Sequence, residues 1–384
     1  MLYNFDEVIE RRNTNSVKWD RGQQDVLPLW VADMDFKAAE PIINALEGKI
    51  KEGIFGYTIH PKKYYEAVVS WMERRHNLHV EEDWILFCPG VVPALNFIIK
   101  ALTNPGDKVM IQTPVYHPFY RVIKNNSCEV VENELIFDGN KYEMDYEDLE
   151  KKASDPKVKL MILCSPHNPV GRVWKEEELK RLGDICLRNN VIVVSDEIHN
   201  DLILGGNKHI NFASINNEFS NNTITCTSPS KTFNLAGLQV SNIIIQNKEI
   251  REKVENILEL NEIGEPNAFA VDALIAAYEQ GEEWLNQLIR YLDKNVEYIS
   301  DYLKENIPEI KLIKPEGTYL LWLDCRELGM KGEELNKFFM DKAKVWLNDG
   351  RMFGAKGEGF VRMNVACPKS IIEKALTKIK NTLM

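Results

Sequence analysis

Asn190-Val191-Ile192-Val193-Val194-Ser195-Asp196-Glu197-Ile198-His199 is the stretch on which the fold turns. Its apolar run shows no alternation with polar residues, the pattern of a strand buried on both faces. Such strands belong to parallel sheets covered by helices on either side. Residues 108–112, 160–164, 223–227 and 242–246 read as further strands, and residues 175–188 space their apolar side chains at helical intervals. The alternation predicts an α/β fold with a mainly parallel, doubly wound sheet. In a sheet of that kind ligands gather outside the carboxyl ends of the strands. The residues capable of chemistry fall there.

Asp196 closes the run 190–195. At a strand's carboxyl end a carboxylate can hold a proton on a ring nitrogen and keep it cationic; a lone aspartate is more often a helix cap or a solvated loop acid. Ser165-Pro166-His167-Asn168-Pro169-Val170-Gly171 follows the strand 160–164. Its two prolines restrict the backbone around Asn168, whose amide can then donate to a phenolate oxygen at little ordering cost; alone, an Asn-Pro pair is a turn. Cys88-Pro89-Gly90-Val91-Val92-Pro93-Ala94 runs into an apolar helix-like segment. A glycine at a strand-to-helix turn frees the N–H groups of Val91 and Val92 to face an anion, although most such turns bind nothing. Finally, Ser228-Pro229-Ser230-Lys231-Thr232-Phe233-Asn234-Leu235-Ala236-Gly237-Leu238 follows the strand 223–227. A lysine with few charged neighbours loses its proton more easily than a solvated one and forms an imine with an aldehyde. Read in isolation it is a surface lysine in a polar turn.

In this order the four segments resemble the large domain of fold-type I pyridoxal 5′-phosphate (PLP) enzymes, the aminotransferase class I/II superfamily. The resemblance implies PLP as cofactor and a role for each segment. Lys231 is the imine lysine and Asp196 the partner of the pyridine nitrogen. Asn168 donates to the ring hydroxyl. Tyr116, in Thr113-Pro114-Val115-Tyr116-His117-Pro118-Phe119, stacks on the ring. Ser228 and the backbone of Val91 and Val92 cradle the phosphate. His199, three residues after Asp196, is a weaker candidate beside the cofactor.

Other segments resemble the bacterial cystathionine β-lyase (C–S lyase) branch. They are Leu29-Trp30-Val31-Ala32-Asp33-Met34-Asp35-Phe36, Phe55-Gly56-Tyr57-Thr58, Asn348-Asp349-Gly350-Arg351-Met352-Phe353-Gly354 and Gly359-Phe360-Val361-Arg362-Met363-Asn364. The resemblance implies a homodimer in which Tyr57 reaches the partner's cofactor phosphate, and an Arg362 that grips the substrate α-carboxylate. A planar fork of donors suits a carboxylate better than an ammonium does. Gln239 stands where aspartate-type aminotransferases carry a phosphate-binding arginine, which favours the lyase. The expected activity is β-elimination of L-cystathionine or related cysteine S-conjugates to a thiol (homocysteine from cystathionine), pyruvate and ammonia. The alternatives are a class I/II aminotransferase acting on an L-amino acid and a 2-oxo acid, and a regulatory protein that modulates a transcriptional activator, as one member of the branch does.

The chain has 384 residues, enough for two domains with their own cores. The resemblance divides it into an N-terminal arm (1–45), a large cofactor-binding domain (46–281) and a small α+β C-terminal domain (282–384). With 58 acidic against 47 basic residues the net charge is −11, which argues against nucleic acid as a partner. No apolar run is long enough to span a bilayer, and the N-terminus has no secretory pattern, so the expectation is a cytoplasmic enzyme acting on a small amino acid away from membranes. The seven cysteines and seven histidines have no metal-ligand spacing. The cysteines read as small buried residues of a reducing compartment.

Overall fold

The apolar run that ends at Asp196 forms the middle strand of a seven-stranded sheet. A computed structural model of the chain describes residues 2–384. In chain order the strands are β1 (Ile85–Cys88), β2 (Lys108–Thr113), β3 (Glu129–Glu134), β4 (Val158–Cys164), β5 (Ile192–Asp196), β6 (Thr223–Thr227) and β7 (Ser241–Ile244). They lie side by side as β1-β7-β6-β5-β4-β2-β3. Strand β7 is antiparallel to both its neighbours, and the ladders from β6 through β3 are parallel.

Helices α1 (Val91–Leu102), α2 (Pro118–Asn125), α3 (Tyr146–Ala153), α4 (Glu176–Arg188) and α5 (Lys248–Leu260) cover the sheet. Successive strand residues point to opposite faces, and the packing divides accordingly. Val109, Ile111, Leu160, Ile162, Val194 and Ile224 meet α1, α2 and α5. Met110, Met161, Leu163 and Val193 meet α3 and α4 on the other side. Each fully buried aliphatic side chain contributes about 1.5–3 kcal/mol. A one-residue slip would exchange the two sets, so burial fixes the register and with it which residues reach the strand ends.

Beyond the large sheet, α6 (Glu282–Asn306) buries Trp284, Leu285, Leu288, Leu292, Ile299 and Leu303 along one stripe. A four-stranded antiparallel sheet follows, β8 (Lys311–Ile313), β9 (Leu320–Asp324), β10 (Asn348–Asp349) and β11 (Phe360–Asn364), in the order β8-β9-β11-β10. Helix α7 (Lys369–Leu383) closes the chain. Near the N-terminus, Leu27–Pro28 pairs in parallel with Val345–Trp346. From there the chain continues as an extended strap. Asn364 N donates to Leu29 O at 2.9 Å and Asp35 N to Ala366 O at 2.9 Å.

All seven cysteines are free and buried. Among the described residues, no cluster of metal-ligating side chains occurs and no helix is long and apolar enough to cross a membrane.

Candidate active site

The register puts Cys164, Asp196 and Cys226 abreast at the carboxyl ends of β4, β5 and β6. Asn168 follows the first of these strands, Asp196 ends the second and Lys231 follows the third. All three line one cavity of about 220 Å³, together with Gly90, Val91, Val92, Tyr116, Ile198, His199, Ser230 and Gln239. The sequence could order these residues along the chain; adjacency of the three strands is what brings them together.

Burial dominates the electrostatics. Lys231 loses hydration, which lowers its ammonium pKa to about 8. Its Nζ donates to Ala32 O at 2.6 Å. Asp196 is buried, and this raises its carboxyl pKa to about 7, against the opposing backbone hydrogen bond from Ile198 N. That bond, 3.2 Å to Oδ1, is weak compensation for a desolvated carboxylate. A cationic N–H in the cavity would supply the missing partner. His199 is held neutral, its pKa lowered by burial to about 3. Its Nδ1 has no hydrogen-bond partner, and its ring meets Tyr319 edge-on at 6.0 Å.

Asn168 is held at two points. Its N–H donates to Cys164 Sγ at 3.4 Å, and its Oδ1 accepts from Arg362 Nη1 at 2.9 Å. The carboxamide N–H₂ is left to face the cavity. At the other end, α1 begins at Val91, and its first intrahelical bond runs from Ala94 N to Gly90 O. Residue 93 is proline, so the N–H groups of Val91 and Val92 are the unpaired donors of this helix start. They provide an anion cradle with helix-dipole support. Lys231 is the one basic side chain besides the neutral His199 among the described lining residues, so no second cation stands in for the arginine that Gln239 replaces.

Three expected residues lie outside the lining of this cavity. Ser228 does not line the cavity: its Oγ accepts from Ser230 N at 3.0 Å and lies 2.6 Å from Val240 O and 2.8 Å from Ser230 Oγ. It caps the turn that carries Lys231, and Ser230 takes its place in the wall. Arg362 is buried behind Asn168, with Nη2 on Trp30 O (3.1 Å) and Asn348 Oδ1 (2.6 Å), and its guanidinium sits 4.9 Å over the Phe353 ring. Desolvation lowers its pKa to about 10, and its Nε has no partner. Tyr57 is 98% exposed. It lines a second concavity of about 710 Å³ that shares Pro89 and Gln239 with the first and is bounded by Phe55, Phe87 and Phe269. Its own chain leaves it outside the lysine cavity.

Sequence reasoning did not single out Tyr319 or Ala32. Tyr319 sits in an apolar run that reads only as core, yet its hydroxyl donates to Ala32 O at 3.0 Å, the acceptor that Lys231 uses.

Comparison with known proteins gives the chain's relatives. Residues 24–379 match the family model described as aminotransferase class I and II. The chain is 46% identical to cystathionine β-lyase PatB of Bacillus subtilis (strain 168), covering 99% of this chain and 100% of the relative. Its fold is similar to a PLP-bound Clostridium difficile 630 protein assigned as an aminotransferase, at TM-score 0.98 and 48% identity over 100% of both chains. It also resembles the PLP-containing cystalysin of Treponema denticola, at TM-score 0.97 and 40% identity over 100% of this chain and 99% of that one. The chain belongs to the aminotransferase class I and II family.

Proposed function

We propose that the chain is a PLP-dependent carbon–sulfur lyase that cleaves L-cystathionine or a related cysteine S-conjugate to a thiol, pyruvate and ammonia. The observation that carries this reading is a half-buried lysine and a buried carboxylate facing one cavity, in a chain similar from end to end to a cystathionine β-lyase. The similar PLP-containing structures support the cofactor.

PLP supplies an electron sink that makes the substrate Cα–H bond acidic. The other work falls to the protein. Lys231 would hold the cofactor through its aldehyde, and its Nζ, when free and neutral, is the base that would take the Cα proton. Its lowered pKa leaves a usable fraction of neutral amine near pH 8. Asp196 holds the pyridine N–H, whose positive charge the desolvated carboxylate needs. The Asn168 amide would donate to the ring oxygen, and Tyr116 would stack on the ring. Val91 N–H, Val92 N–H and Ser230 receive the phosphate, with Tyr57 of a second copy completing the cradle. Arg362 takes the α-carboxylate and fixes which Cα bond stands across the ring. We divide the chain as an arm (1–45), a large domain (46–281) and a small domain (282–384). The pairing of Leu27–Pro28 with Val345–Trp346 supports docking of the arm on the last of these.

The test is incubation of the purified holoenzyme with L-cystathionine and no 2-oxo acid. Equal amounts of thiol and pyruvate are expected. Turnover that requires an added 2-oxo acid would make the protein an aminotransferase instead.

A further inference from the structure

The strap between Trp30 and Phe36 has neither helix nor strand geometry, yet its carbonyls are tied one after another. Trp30 O accepts from Arg362, and Ala32 O from both Lys231 Nζ (2.6 Å) and Tyr319 Oη (3.0 Å). Asn364 Nδ2 donates to Val31 O and to Asp33 O (2.6 Å), on either side of Ala32. Asn234 Nδ2 holds Met34 O at 3.0 Å. A carbonyl oxygen has two lone pairs, so Ala32 O satisfies both donors at once. Tyr319 is 1% exposed and does not line the cavity, and the hydrogen bond its hydroxyl makes toward the site is the one to that oxygen.

Lys231 has to leave Ala32 O when it bonds the cofactor aldehyde, and it needs an acceptor again each time a substrate amine frees it. Tyr319 has no reason to leave. We propose that Tyr319 is a positioning residue for Lys231: by sharing the Ala32 carbonyl, it holds in place the oxygen on which the lysine amine rests whenever it is not bonded to cofactor. The inference rests on Lys231 being the cofactor lysine.

The experiment uses the full chain stripped of cofactor and mixed with saturating PLP. Formation of the Nζ–C bond, with the aldehyde oxygen leaving as water, is followed by absorbance, then trapped with borohydride and mapped to Lys231. Tyr319→Phe keeps the ring that packs on His199 and removes only the hydroxyl. Its capture rate is expected to fall about tenfold, the scale of one hydrogen bond expressed in a rate. In a Lys231→Ala background, where no bond can form, adding Tyr319→Phe is expected to leave the PLP dissociation constant within about twofold, since each factor of ten is about 1.4 kcal/mol. An unchanged capture rate would overturn the proposal. So would a loss of PLP affinity in the lysine-free background, because the hydroxyl would then touch the cofactor itself. Asn364→Ala, which releases the carbonyls flanking Ala32, is expected to slow capture similarly and decides the matter if Tyr319→Phe does not fold. Absence of trapped Lys231 in the wild type would instead refute the parent reading of the site.

Discussion

At the scale of single residues, the site is built on two charges that the fold makes uncomfortable. Burial lowers the Lys231 ammonium pKa to about 8 and raises the Asp196 carboxyl pKa to about 7. The sign for lysine is direct. Below the folded pKa the ammonium predominates and cannot attack; above it the amine is neutral. The rate of covalent PLP capture by the stripped protein is therefore expected to rise about tenfold per pH unit below pH 8 and to level off above it. Stopped-flow measurements between pH 6 and pH 10 check this, and a flat profile would refute it. Lys231→Ala is expected to abolish borohydride-trapped PLP and lower kcat by about a thousandfold or more, the combined loss of nucleophile and base. Asp196→Ala leaves the ring nitrogen unpaired, and PLP should be retained more weakly on dialysis.

At the scale of elements, what could be read from sequence depended on how strongly burial marks a segment. The strands β2, β4 and β5 centre on apolar residues and β6 on β-branched ones, and the expected stretches lie on them, with ends differing by a residue or two. Strand β3 escaped because it is an edge: Glu129-Val130-Val131-Glu132-Asn133-Glu134 faces water with charges, as edge strands do. Strand β1, Ile85-Leu86-Phe87-Cys88, is apolar throughout but only four residues long, too short for an apolar run to tell strand from buried helix. That Ser230 lines the cavity while Ser228 caps the turn depends on local geometry that position in sequence does not give. The strap needed three dimensions. Lys18 is fully buried, with Nζ 2.7 Å from Asp35 and 3.7 Å from Asp33, and Arg11 bridges the same two carboxylates. Lys18→Met removes one partner and leaves the carboxylates short of a counter-charge. Breaking a buried pair costs about 3–5 kcal/mol, and the remaining Arg11 keeps the expected loss near the low end. Chemical denaturation at neutral pH reads it; an unchanged midpoint would mean that Arg11 suffices.

At the scale of the whole molecule, the proposed dimer rests on two neighbouring concavities that share Pro89 and Gln239. Among the described lining residues no arginine faces the phosphate end, while Tyr57 stands 98% exposed beside a concavity that meets the first at Pro89 and Gln239. An exposed aromatic segment next to an open site is what a two-fold pair would cover, each copy lending the other its tyrosine. A homodimer of this kind makes a prediction that a self-contained site does not. Lys231→Ala and Tyr57→Ala are each expected to impair activity as pure proteins. Unfolded together in equal amounts and refolded, half of the dimers pair one chain of each type. Such a dimer places both lesions in one site and leaves the other intact, so activity should recover to about a quarter of the wild-type value. Recovery no greater than the average of the two separate variants would mean that Tyr57 serves its own chain or none, and the dimer assignment would fall with it.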